Sequence, residues 1–122
     1  MDKIHVIQGA PLERDPKGGI SRRSIFDSPT DQIFQIRVTG GFTGGWHHHG
    51  KRTMYGYAVS GKFHMEYGKK GLEKAALSAG DFFQIPPGLI HRDVNPYKED
   101  AIILIFNIGE GPGTQAVPGP EA

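Results

Sequence analysis

The sequence predicts an all-β domain, a small sandwich or barrel. Three observations carry that expectation. Glycine (18) and proline (9) are both abundant in 122 residues, as in short strands joined by tight turns. Apolar and polar residues alternate in several segments with the period of a half-buried strand. Those segments follow one another at short intervals, and only LEKAAL (72–77) offers so much as one helical turn.

Taken in order, DKIHVI (2–7) reads as a short strand, and QGAPLERDPKGG (8–19) as a loop by its proline and glycine content. In DQIFQIRVTGG (31–41), Phe34, Ile36 and Val38 alternate with Gln35 and Arg37, which predicts a strand with one buried face. RTMYGYAVSG (52–61) is another strand, rich in aromatic and small residues. KFHMEYG (62–68) is a third, with Phe63, Met65 and Tyr67 set against His64 and Glu66 and with Gly68 as its stop. GKKG (68–71) is a turn. LEKAALSAG (72–80) leads into DFFQIPPG (81–88), a strand ended by Pro-Pro-Gly. AIILIFNIG (101–109) is continuously apolar, so a strand buried on both faces is expected. EGPGTQAVPGPEA (110–122) cannot pack by itself and is expected to be a mobile tail or one held by a neighbour. The expected organisation is one domain over 1–109 followed by a Pro/Gly-rich tail over 110–122. No solenoid-type repeat is present.

Bulk properties narrow the function. Fourteen basic and thirteen acidic residues leave a formal charge of +1, which disfavours nucleic acid as a partner. The absence of cysteine removes disulfides, thiolate zinc sites and thiol catalysis. No apolar run suits a signal peptide or a membrane span, so a cytoplasmic protein with no membrane partner is expected.

The chemistry concentrates in GWHHHG (45–50). The three histidines are internal and followed by an ordinary strand, unlike a purification tag. On a strand, residues two apart share a face, so His47 and His49 point one way and His48 the other. Two imidazoles on one face make a good pair of metal ligands, although such a pair alone also fits a polar strand end. A second stretch, GDFFQIPPGLIHRDVNP (80–96), supplies a distant histidine. Its Pro86 and Gly88 fix a turn that can aim His91 back into a barrel.

Together these stretches resemble the two motifs of the cupin superfamily. Gly41, His47, His49 and Gly61 occupy the places of the first motif, and Gly80, Pro86, Gly88, His91 and Asn95 fill the second. With the flanking strands, the likeness extends over roughly residues 30–109. The resemblance implies a double-stranded β-helix, the jelly-roll cupin barrel, with His47, His49 and His91 as the metal ligands. One position departs from the pattern: Met54 stands where cupins usually carry a ligating glutamate.

Three neutral imidazoles would leave a divalent ion its full charge and open coordination positions. A small anionic organic substrate is therefore expected: an enolate, thiolate, phenolate or carboxylate. Three-histidine cupins include iron dioxygenases, so by resemblance a dioxygenase-like enzyme with iron(II) leads, and zinc, manganese, nickel and copper remain open. No general base can be named beside the metal, which favours oxygen activation over acid–base chemistry. The rivals are an isomerase, lyase or cyclase using the metal as a Lewis acid, and a non-catalytic binding module.

Further pocket residues follow from strand phase. Met54, Gly56 and Ala58 share one face; Met54 is a core methionine or a soft ligand, and the small pair either leaves room for a ligand or lets sheets approach. On the opposite face Tyr55, Tyr57 and Val59 need a cover, either a second copy in a homodimer or the N-terminal strand. Arg37 is a candidate clamp for a substrate carboxylate, against the plainer reading of an exposed arginine. His64 is a candidate proton donor if its face turns inward, and is solvated with Glu66 if it turns outward. Arg92 is expected to pair with Asp93 or Asp100, while His48 and His5 are expected at the surface.

Overall fold

The computed structural model describes residues 3–122. Ten strands run in chain order: β1 (Ile20–Asp27), β2 (Asp31–Val38), β3 (His47–His48), β4 (Thr53–Ser60), β5 (Lys62–Tyr67), β6 (Glu73–Ser78), β7 (Phe82–Ile85), β8 (His91–Val94), β9 (Ala101–Ile108) and β10 (Gln115–Ala116). They form two five-stranded sheets, β1-β2-β9-β4-β7 and β10-β3-β8-β5-β6, with every strand pair antiparallel. Only the β1–β2 and β5–β6 connections stay within one sheet; every other connection crosses to the opposite sheet. That repeated crossing is what makes a double-stranded β-helix from short strands, and no helix occurs among the described residues.

Alternation builds the interior. Phe34, Ile36 and Val38 of β2, Met54 and Ala58 of β4, Phe63 and Met65 of β5, Ile85 of β7, and Ala101, Ile103 and Ile105 of β9 form one buried cluster. Glycine controls the tightest crossing, from β4 to β5. Gly61 has φ +79°, and a Cβ there would lie 2.5 Å from the Asp100 carbonyl oxygen. Only glycine fits.

The segment expected as a strand at 2–7 forms none over its described part. Asp2 lies outside the described residues, and Ile4 and Val6 are exposed. The chain from Gln8 to Arg14 is instead tied along the outer face of the first sheet. Arg23 donates to the Gln8 carbonyl, Arg37 to the Leu12 carbonyl, and Arg14 pairs with Asp100. Strand β1 escaped the sequence reading. LEKAAL is strand rather than helix, because β5 offers a six-residue antiparallel partner that overrides helix propensity. β9 alternates instead of being buried on both sides: Ala101, Ile103, Ile105 and Asn107 turn inward, while Ile102, Leu104 and Phe106 are half-buried.

The segment 110–122 is held by its own barrel. β10 pairs with β3, Val117 N–H donates to the Trp46 carbonyl, and Lys70 N–H donates to the Glu121 carbonyl. Buried Arg52 donates Nε–H to the Gly111 carbonyl, and its other nitrogens to the Asn107 and Pro29 carbonyls.

Candidate metal centre

His47 and His91 face each other as register partners across β3 and β8, and His49 follows immediately after β3. The three rings meet inside the barrel. Their centroids are 5.1 Å (47–49), 4.3 Å (47–91) and 5.0 Å (49–91) apart, and one nitrogen from each lies within 4.8 Å of the others. His49 and His91 are buried; His47 is half-buried.

The hydrogen bonds of these rings fix their chemistry. His47 Nδ1 is 2.9 Å from the Gly45 carbonyl, His49 Nδ1 is 2.8 Å from the Gly113 carbonyl, and His91 Nδ1 is 2.9 Å from the Leu89 carbonyl. A carbonyl can only accept, so each Nδ1 carries the proton and each neutral ring presents a bare Nε2. The Nε2 atoms of His49 and His91 then stand 3.3 Å apart, lone pair toward lone pair. That arrangement lacks a partner unless a cation lies between them. Two nitrogens each ~2.05 Å from one ion stand about 3.3 Å apart at the tetrahedral angle, so the observed spacing fits a metal. Burial, reinforced by the neighbouring histidines, lowers the pKa of His49 and of His91 to about 4, which keeps both rings neutral at pH 7.

The rings open onto a cavity of about 370 Å³, a size suited to a small organic molecule. Its wall is largely apolar, with Phe34, Ile36, Phe63, Met65, Ile103 and Ile105 among the residues lining it. Met54 belongs to that wall. Gly56 and Ala58 do not. Ala58 is fully buried in the core, and the space above Gly56 is filled by the Phe83 ring, which a Cβ there would meet at 2.0 Å. Phe83 itself lines the cavity, so the missing side chain at Gly56 makes room for an aromatic wall rather than for a ligand.

Arg37 and His64 also lie away from the cavity. Arg37 is on the outer face, donating to Asp100 at 2.8 Å, where it anchors the N-terminal segment. His64 also faces outward and bonds Glu66 at 3.1 Å. Glu66 in turn receives Arg92 at 2.7 Å, and that bond above all holds its carboxyl below the usual range. Arg92 thus pairs with Glu66 rather than with Asp93 or Asp100, and its guanidinium lies 4.4 Å over the Trp46 ring. His48 points away from the cluster and accepts the Gly50 N–H on Nδ1; His5 is exposed.

Two charged residues of the cavity wall were missed by the sequence reading. Asp93, two residues beyond His91 on the same face of β8, puts a carboxyl group in the wall. It stands outside the three-nitrogen cluster. Its desolvation raises its pKa, against the opposing pull of His47 and His49. The residue-two-apart rule that paired His47 with His49 would have found it. Arg22 lines the mouth, from a strand the sequence did not reveal.

The Cupin domain family matches residues 34–107, which span β2 to β9 and hold all three histidines. The chain belongs to the cupin family. Solved structures agree in fold. A double-stranded β-helix protein from Klebsiella pneumoniae superposes with a TM-score of 0.75 at 19% identity, covering 87% of this chain and 90% of that one. An RmlC-like cupin from Shewanella frigidimarina gives 0.69 at 27% identity, covering 88% and 92%. KdgF from Halomonas sp. gives 0.62 at 28% identity, covering 78% and 85%. No curated protein matches the chain in sequence. The described residues contain no helix long and apolar enough to cross a membrane.

Proposed function

We propose that this cupin is a metal-dependent enzyme that acts on a small anionic organic substrate, with His47, His49 and His91 holding a divalent transition metal. The observation that carries the reading is the convergence of bare Nε2 atoms, each ring oriented by a backbone carbonyl. When bound, the metal would supply Lewis acidity and, if it is iron(II), a redox centre for dioxygenase-like chemistry. The protein contributes the rest. Three neutral ligands leave the ion's charge to be balanced by the substrate, and the apolar wall excludes water and weakens competing solvation of that anion.

A second reading is favoured by Asp93. The preference for oxygen activation rests partly on the lack of an acid–base group beside the metal in the sequence motifs. A carboxyl group in the cavity wall removes that reason and suits an isomerase or lyase. Elemental analysis of the purified protein, followed by oxygen-uptake assays with diketones, thiols and hydroxybenzoates, separates the two. Uptake by iron-loaded protein supports the dioxygenase; none in the whole panel leaves the Lewis-acid reading. If His47→Ala and His91→Ala retain metal like the parent, the ligand set is wrong.

A further inference from the structure

We infer that Arg22 forms an anion subsite at the mouth of the cavity, selecting substrates that carry a carboxylate at the end remote from the metal. This deepens the metal-enzyme reading above and rests on it. Arg22 is the register partner of Ile36, whose side chain is buried in the barrel, so Arg22 also projects from the inner face of the sheet. β1 is an edge strand, and its inner face is left uncovered: Ile20 and Arg22 are exposed although they line the cavity. Thr114 and Ala116, also exposed, line it from the C-terminal segment. The mouth therefore opens between β1 and β10, with Arg22 on its rim.

Arg22 is the sole lysine or arginine lining the cavity among the described residues. Every other arginine has an acceptor. Arg14 and Arg37 pair with Asp100, Arg92 pairs with Glu66, Arg23 donates to the Gln8 carbonyl, and Arg52 donates to three carbonyls. Among the arginines, the side chain of Arg22 alone makes no ion pair or hydrogen bond within the described residues. Its guanidinium lies 3.7 Å from the centroid of the Phe34 ring, a cavity wall residue. That cation–π contact braces the guanidinium over the ring face, and without an acceptor from the protein its N–H groups remain for a planar, bidentate acceptor such as a carboxylate. The matching ligand has a metal-binding anionic head, an apolar body along the Phe34–Ile36 wall, and a second carboxylate at the mouth.

The test uses zinc-loaded protein and matched pairs of 2-oxo acids with and without the distal carboxylate: 2-oxoglutarate and 2-oxopentanoate, 2-oxoadipate and 2-oxohexanoate, 2-oxopimelate and 2-oxoheptanoate. Binding is read from the fluorescence of Trp46, the one tryptophan in the chain and a cavity residue. At one chain length at least, the diacid is expected to bind about tenfold tighter than its partner. Arg22→Met is expected to erase that preference, the ratio of diacid to monoacid affinity falling to about one, while the metal content stays that of the parent. Absence of a preference at every length, or a preference that survives Arg22→Met, overturns the assignment while the metal reading stands. Failure of the parent protein to take up metal sinks the metal reading, and this subsite with it.

Discussion

Removal of the C-terminal segment should weaken metal binding by a predictable amount. The Gly113 carbonyl receives the His49 Nδ1 proton at 2.8 Å and so presents Nε2 to the cluster. The segment is positioned by β10 against β3, by Arg52 on Gly111, and by Asn107 Nδ2 on Gly113. A chain ending at Glu110 loses all of these. His49 is then free to rotate, and either ring nitrogen can carry the proton. Loss of one such orienting partner typically costs 10–100-fold in metal affinity, or about 1.4–2.7 kcal/mol. A chain ending at Val117 keeps Gly113, β10 and the Val117–Trp46 bond and should bind like the parent. Zinc affinity would be measured by competition with a chromophoric chelator, after circular dichroism has shown both chains folded. Equal affinity in the two truncations would refute the argument that the segment orients His49.

Three further outcomes are expected. Asp100 accepts from Gly40 N–H and Arg37, and these bonds hold its carboxyl below the usual range. Its contribution is thus fully present above the unfolded pKa of about 3.9 and is lost as pH falls through the lower folded value. Asp100→Asn should cost about 1–2 kcal/mol at pH 7 in urea unfolding, and much less at the acid end of that window. Gly56→Ala should destabilise by about 1–3 kcal/mol and alter ligand affinity, since the Phe83 ring must shift within the cavity wall; unchanged unfolding would show that the ring yields freely. The exposed apolar face with Tyr55, Val59 and Phe82 is expected to pair two copies, so sedimentation equilibrium should give a dimer for the parent and a monomer for Phe82→Asp.

The legible parts of the fold are those where burial is one-sided. β2 and β5 write their inward faces into the sequence as alternation, and the part of the cluster built on Phe34, Ile36, Phe63 and Met65 follows from it. β1 has no such signature, because its inward residues Ile20, Arg22 and Ser24 are uncovered. Exposure removes the selection for apolar side chains that period-based reading depends on. Ile4 and Val6 show the converse error. They alternate like a strand, yet no neighbouring strand pairs with them. β6 misled through composition: Glu73, Lys74 and Ala75 favour helix locally, but the strand is set by its ladder with β5.

At the site, the likeness to two cupin motifs singles out His47, His49 and His91, and the three rings do converge, because a strand pair and a rigid bend leave few ways to point. The arginine could not be chosen that way. Arg37 and Arg22 are both strand arginines, and what separates them is the partner each meets: Asp100 and a backbone carbonyl for one, an aromatic wall and no acceptor for the other. The C-terminal segment was hidden for the same reason. Nothing in GPGTQAV signals that a glycine carbonyl will orient a histidine 64 positions earlier in the chain. Polar groups that act through the backbone leave no residue-type trace, so a sequence can disclose which imidazoles converge while concealing what holds their tautomers and what admits the substrate.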